Sequence, residues 1–237
     1  MKYYPIFLDV KAKKCLVVGG GSVGSRKAAG LLRSGADVTV VSVESTSEVA
    51  DLAQKGEITL ITRAYVPTDL DGVFLVMRAV DDPEVGKMIK RDADSRNILC
   101  NIADSPDDCN FILPSVVDRG DLVLAVSTTG KSPAFAKRMR KILEKEFGWE
   151  YSKFLRLMGG VRKKLLAQRH EPEEHKPIFE KLIDSGLLDH IKAGNFREID
   201  KILLSVVGRD VLVQKGSDEQ DDPEDGDIFL MLMDNEI

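Results

Sequence analysis

Residues Cys15 to Gly24 read C-L-V-V-G-G-G-S-V-G, an apolar run suited to a buried strand that opens directly into a glycine loop. Gly19, Gly21 and Gly24 satisfy the spacing G-x-G-x-x-G, and the segment Ser22–Arg33 that follows has helical periodicity. Each glycine has its own physical task. The first makes a tight turn, the second lets backbone approach a pyrophosphate, and the third lets helix and strand pack closely. Amides at the helix start then face negative phosphates without an intrahelical partner. Glu44 lies twenty residues past Gly24, at the end of the next apolar run (Val38–Val43), where a carboxylate can hold a ribose. Glycines alone also punctuate ordinary turns. Strand, glycines, helix, strand and acid in this order predict a bound dinucleotide.

The first 113 residues continue the alternation. Apolar runs Lys14–Val18, Val38–Val43, Ile58–Ile61, Val73–Val80 and Ile98–Ile102 read as parallel strands. Helical stretches at Ser22–Arg33, Ser47–Lys55 and Pro83–Arg96 separate them, with Gly35 read as a C-cap and Pro83 in a first turn. This predicts an α/β fold with a Rossmann-type, doubly wound parallel sheet over residues 1–113. After Asn110 the pattern changes. Phe111–Val117 and Asp121–Thr128 form two β-rich runs around a turn at Asp118-Arg119-Gly120, and a helix runs from Pro133 to about Phe147. That makes 114–147 a small β-rich segment. Residues 148–208 read as a helical domain with breaks near Pro172, Gly186 and Gly194, and 209–237 as an acidic, flexible tail. The apolar residues Ile228–Met233 within the tail find no place in this scheme.

Charge and cysteine usage narrow the function classes. The net charge of −5 is uneven, because residues 216–237 hold nine acids and no Lys or Arg. Residues 1–215 therefore carry 30 acids against 34 bases, a balance of +4 that favours an anionic small molecule in a cleft. No basic block interleaved with aromatics suggests nucleic acid, and no apolar run reaches membrane-spanning length. The N-terminus lacks the apolar core of a signal peptide, so export is not expected. Cys15, Cys100 and Cys109 form no C-x-x-C pair, and Cys15 and Cys100 sit in strand runs as small hydrophobes. A reducing cytoplasm fits that usage.

Candidate chemistry collects at the strand ends, where open α/β sheets bind ligands. Asn101 and Asp104 stand at and just past the fifth strand, on the crevice side with the glycine loop; turn chemistry is the plain alternative for Asp104. Ser127-Thr128-Thr129-Gly130-Lys131-Ser132-Pro133 ends one strand and starts a helix, offering hydroxyls, amides and a lysine to carboxylates. A well-capped helix start is the plain alternative there. Asp81-Asp82 reads equally as functional acids or as helix-start charge, and Arg26-Lys27 reads first as a solvated helix face, with a phosphate or substrate contact as the alternative. His170, His175 and His190 lack metal-ligand spacing, so no metal site is expected. No G-x-x-x-x-G-K-[ST] occurs, against P-loop chemistry.

Several motifs in fixed order then carry a resemblance. Pro5-Ile6-Phe7-Leu8, Val17-Val18-Gly19-Gly20-Gly21-Ser22-Val23-Gly24-Ser25-Arg26-Lys27-Ala28, Cys100-Asn101-x-x-Asp104, Phe111-Ile112-x-Pro114-Ser115 and Ser127-x-x-Gly130-x-Ser132-Pro133 resemble the N-terminal module of siroheme synthases. The chain is similar to the stand-alone type of the precorrin-2 dehydrogenase and sirohydrochlorin ferrochelatase family, closely over 3–147 and more loosely to about 207. The resemblance implies a homodimer with NAD as hydride acceptor and precorrin-2, a polycarboxylate tetrapyrrole, as substrate. It implies a cytoplasmic oxidoreductase of siroheme biosynthesis, with Fe²⁺ insertion a further activity of some members. Asp104 falls on the family's catalytic aspartate, the base in dehydrogenation. Ser22, Val23, Val43 and Glu44 fall on its cofactor contacts, while a ribose bond from Glu44 is a physical inference. Asn101, Ser127, Thr128, Gly130 and Lys131 are the candidate substrate contacts, Thr128 standing where relatives often carry serine.

Two rivals stay open at this point. A regulator that senses NAD without turnover would need neither Asp104 nor the 127–131 loop. A chelatase without dehydrogenase activity would not need the three intact glycines.

Overall fold

A computed structural model of the chain describes residues 2–102, 109–167, 175–212 and 227–233. The chain folds as two bodies, Met1–Leu113 with Thr128–Ser132, and Pro114–Ser127 with Pro133–Ile237.

The first body holds a five-stranded parallel sheet in the order β3-β2-β1-β4-β5. Its strands are β1 (Lys14–Gly20), β2 (Asp37–Ser45), β3 (Thr59–Thr62), β4 (Leu75–Arg78) and β5 (Leu99–Ile102). Helices α1 (Ser22–Arg33), α2 (Ser47–Gln54) and α3 (Pro83–Ser95) join them. Alternate residues of β1 enter opposite cores, as a two-residue side-chain period requires. Cys15 and Val17 pack with Ala28, Leu31, Val40 and Met77, whereas Leu16 and Val18 pack with Val41, Val76, Ile89 and Cys100. The strand order reverses between β1 and β4, which opens a crevice at their carboxyl ends.

Several details differ from the sequence reading. The first helix ends on Ser34 as C-cap, and Gly35 follows it at φ +75°, the left-handed position that glycine fills without a Cβ clash. β2 runs on to Ser45, so Glu44 is a strand residue, and β4 is shorter at both ends than its apolar run. Asp82 is an N-cap: its Oδ1 accepts from the amides of Glu84 (2.8 Å) and Val85 (3.4 Å) ahead of Pro83. That settles its role as helix-start chemistry.

The second body begins with an antiparallel hairpin, β6 (Ser115–Arg119) and β7 (Leu122–Val126). Asp118 and Arg119 belong to β6, and the reversal falls at Gly120 (φ +69°) and Asp121, one step later than expected. The Asp118 carboxylate accepts from the Gly120 amide, so the aspartate serves the turn from the strand. Helices α4 (Pro133–Glu146), α5 (Glu150–Ala167), α6 (Lys176–Asp184), α7 (Leu187–Ala193) and α8 (Phe196–Val207) follow, with short α9 (Arg209–Leu212) and α10 (Asp227–Met233). Gly186 and Gly194 mark breaks as expected, while Pro172 lies outside the described residues.

Ile228–Met233 has a place after all. Ile228, Phe229 and Leu232 are buried in one core with Leu157, Val161, Leu165, Ile199 and Leu203. Acids at 218–227 concealed the pattern, because a seven-residue helix shows too few turns to register as periodic. Among the described residues no helix is long and apolar enough to cross a membrane.

Candidate functional site

The three glycines divide their labour sterically. Gly19 has φ +114°, and a Cβ there would lie 2.4 Å from the Ala79 carbonyl oxygen. A Cβ on Gly24 would lie 1.9 Å from the Gly19 carbonyl oxygen, so α1 rests directly on the turn. Gly21 is the opposite case: nothing stands within 4 Å of its would-be Cβ. Its face is open, and a ligand can approach the backbone there. Gly21 is also the N-cap of α1 and brings no side-chain cap to the first-turn amides, among which Ser22 and Val23 are exposed. No acid lies in that first turn. A dipole end without carboxylate neighbours favours an incoming phosphate.

Gly20, which the spacing rule leaves as any residue, is fixed just as tightly. Its amide donates to Ser42 Oγ (2.8 Å), Ser42 Oγ donates to the Glu44 carbonyl (2.5 Å), and the Gly20 carbonyl accepts from Thr46 (2.9 Å). A Cβ on Gly20 would meet the Glu44 carbonyl at 2.7 Å. This clasp holds the end of β2 beside the glycine loop and leaves Val43 and Glu44 exposed there. Gly19, Gly21, Ser22, Val23, Gly24, Val43 and Glu44 thus converge at one end of the sheet. Their arrangement fits a dinucleotide: an open backbone face, a helix start and a carboxylate on the neighbouring strand.

Asn101 lies on β5, paired in register with Met77, and is buried. Its Oδ1 accepts from Lys27 Nζ (2.7 Å), and its Nδ2 donates to the Phe111 carbonyl (3.1 Å). Lys27 also donates to the Arg78 carbonyl at 3.2 Å. Lys27 is therefore no solvated helix residue. It shares a face with buried Gly24, Ala28 and Leu31, and the i, i+3, i+4, i+7 rule places it there. Arg78 is buried as well; its Nη2 donates to the Asp82 carbonyl (2.9 Å), and Gly86 leaves room for the guanidinium.

Thr128, Gly130 and Lys131 belong to the first body, grouped away from the elements that flank them in sequence. The Lys131 amide donates to the Thr128 carbonyl (3.0 Å), with Thr129 (φ +53°) and Gly130 (φ +82°) both left-handed between them. Thr128 Oγ1 accepts the Ser132 amide at 3.1 Å, so this hydroxyl braces the loop, while Lys131 is exposed. Ser127 falls in the second body. Asp104 lies outside the described residues. Among the described residues no group of three or more His, Cys, Asp or Glu is placed to hold a metal.

Burial pushes the Cys15 thiol up to about 11, helped by the Asp37 carboxylate. Burial also pushes Cys100 up to about 11, with Cys109 adding to it. Both are inert packing residues rather than nucleophiles.

Residues 6–115 match the family described as "Putative NAD(P)-binding", and residues 119–146 match the family of the sirohaem biosynthesis protein central region. The chain is 34% identical over 217 residues to the siroheme synthase of Vesicomyosocius okutanii, covering 92% of this chain and 47% of that one. It is 37% identical over 188 residues to the siroheme synthase of Methylobacillus flagellatus, covering 79% of this chain and 40% of that one. It spans about half the length of these relatives. Among solved structures it resembles SirC, a precorrin-2 dehydrogenase, with TM-score 0.73 and 27% identity, over 86% of this chain and 98% of that one.

Proposed function

The chain belongs to the siroheme synthase and precorrin-2 dehydrogenase family, and on that premise we propose that it oxidises precorrin-2 to sirohydrochlorin with NAD. The single observation that carries the reading is the glycine loop. Gly19 and Gly24 admit no side chain, Gly21 faces open space, and α1 starts there without a capping side chain. NAD, when bound, supplies the hydride acceptor; the chain supplies position and charge.

The residues divide the work by location. First-turn amides of α1 take the pyrophosphate, and Glu44 at the end of β2 takes the adenosine ribose. Thr128, Gly130 and Lys131 meet substrate carboxylates with a braced loop and one exposed ammonium, while Asn101, buried with its amide held by Lys27 and Phe111, supports the end of β5. Asp104 is the base: the substrate gives up a hydride to the cofactor and a proton to this carboxylate, so charge and electrons balance.

The second body supports a homodimer, because Val116 and Val123 on the hairpin and Phe135 and Ile142 on α4 are exposed apolar residues. The cysteine usage, with no C-x-x-C pair, fits a reducing cytoplasm. Fe²⁺ is read as a substrate of a subsequent insertion step. Supplying precorrin-2 with NAD anaerobically, then Fe²⁺, and following absorbance tests each stage. NADH appearing with sirohydrochlorin is the expected first result; bound NAD with no NADH formed would leave the regulator reading in its place.

A further inference from the structure

Lys27 does more than cover a helix face. Its Nζ donates to Asn101 Oδ1 at 2.7 Å and to the Arg78 carbonyl at 3.2 Å, so one ammonium ties α1 to the ends of β4 and β5. The first bond also sets which way the Asn101 amide points. With the oxygen held on the cation, Nδ2 faces the Phe111 carbonyl at 3.1 Å and Cys109 Sγ at 3.7 Å. Cys109 Sγ in turn accepts from the Ile102 amide (3.1 Å) and donates to the Ile102 carbonyl (3.2 Å). Ile102 and Cys109 are the described residues on either side of 103–108. The chain of bonds therefore runs from the helix that starts at the glycine loop to both flanks of that segment.

We propose that Lys27 is a positioning residue for the redox step, acting through Asn101 to fix β5 and Cys109–Phe111 against the cofactor helix. This rests on the oxidation reading above. The physical argument is one of strength and direction. A hydrogen bond from an ammonium is roughly twice as strong as a neutral one, and this one joins α1 to the Asn101 oxygen across the sheet. Without it the Asn101 oxygen loses its charged donor, and the amide is held only from the Phe111 and Cys109 side. The strand end then shifts relative to the glycine loop, and a displacement of about 1 Å at reacting groups costs on the order of 100-fold in rate. The pyrophosphate and ribose contacts proposed above are made by first-turn amides of α1 and by Glu44 on β2 rather than by the Lys27 side chain, so cofactor affinity is expected to hold.

The test compares Lys27→Met, Lys27→Arg, Asn101→Ala and Lys27→Met/Asn101→Ala, with Arg26→Met as a control for an exposed cation on the same helix. Turnover with precorrin-2 and NAD is expressed per NADH-binding site titrated by fluorescence, so misfolded protein drops out of the ratio. Lys27→Met is expected to lower kcat by about 10- to 100-fold with NADH affinity within about twofold, and Lys27→Arg to restore most of the loss. The double variant should fall no further than the worse single one, as residues acting in series do. Wild-type turnover for Lys27→Met, an equal loss in Arg26→Met, a parallel loss of NADH affinity, or multiplying losses in the double variant would each overturn the proposal. An active wild type with an unaffected variant sinks this inference alone; an inactive wild type sinks the oxidation reading and this inference with it.

Discussion

A Cβ on Gly24 would come within 1.9 Å of the carbonyl oxygen of Gly19, so the first turn of α1 is seated on the glycine loop with no space for a methyl group. Gly21, three residues earlier, has open space and φ −72°, a backbone that alanine adopts freely. Gly24→Ala should therefore destabilise the first body by about 1–3 kcal/mol or more, through forced displacement of the helix. Gly21→Ala should leave the melting temperature unchanged yet weaken NADH binding by about tenfold or more, because its methyl group occupies the ligand's approach. Thermal unfolding and NADH titration of both variants separate a packing glycine from a binding glycine.

Besides its buried apolar residues, a hydrogen bond and a close backbone approach seat α10 on the helical core. The Phe229 amide donates to the buried Asp200 carboxylate at 3.0 Å, and a Cβ on Gly160 would stand 2.6 Å from the Leu232 carbonyl oxygen. Asp200→Ala should cost about 1–3 kcal/mol by leaving a buried donor unmet, and Gly160→Ala should push α10 off α5. Hydrogen exchange is expected to rise at 228–233 in both variants, with NADH affinity unchanged.

How much of this was legible in the sequence depended on repetition. α1 matches its expected span Ser22–Arg33, because glycine loop, apolar stripe and Gly35 agree on both ends. The hairpin turn came one step early because Asp118 is a turn former that here acts from within β6. α10 escaped because its few apolar residues among acids show no period. At the site, Lys27 was hidden by its charge: a lysine on an apolar face reads as solvated until its acceptors are seen, and those lie on β4 and β5, far along the chain. Gly20 and Ser42 were invisible for the same reason. Their partners are set by strand register, which local pattern does not contain.

The two buried thiols give a pH dependence with a definite sign. Cys15 and Cys100 titrate at about 11 in the folded chain against an ordinary value of 9.0. The folded state thus keeps protons that the unfolded state releases, so the contribution is complete below pH 9 and is lost as pH rises toward 11. Denaturant midpoints should decline across that window. Cys15→Ala should flatten the decline despite its own cost in packing. At pH 8, thiol reagents should label Cys109 ahead of the other two, and all three once the chain is unfolded.

Glu44 gives the most specific expectation about cofactor choice. Its backbone is clasped by Ser42 against Gly20, which fixes where the end of β2 stands relative to the pyrophosphate site, and its side chain is exposed there. A carboxylate at that place accepts hydrogen bonds from both hydroxyls of an adenosine ribose and repels a 2′-phosphate. Glu44→Ser should therefore raise the Kd for NADH by about 3- to 10-fold, in line with one or two lost charged hydrogen bonds. The same change should improve NADPH binding, because the repulsion goes with the charge. Ser42→Ala should weaken both cofactors alike, since it loosens the position of the carboxylate without removing it. Parallel titrations with NADH and NADPH read all three outcomes, and an unchanged NADH-to-NADPH ratio in Glu44→Ser would remove Glu44 from the ribose site.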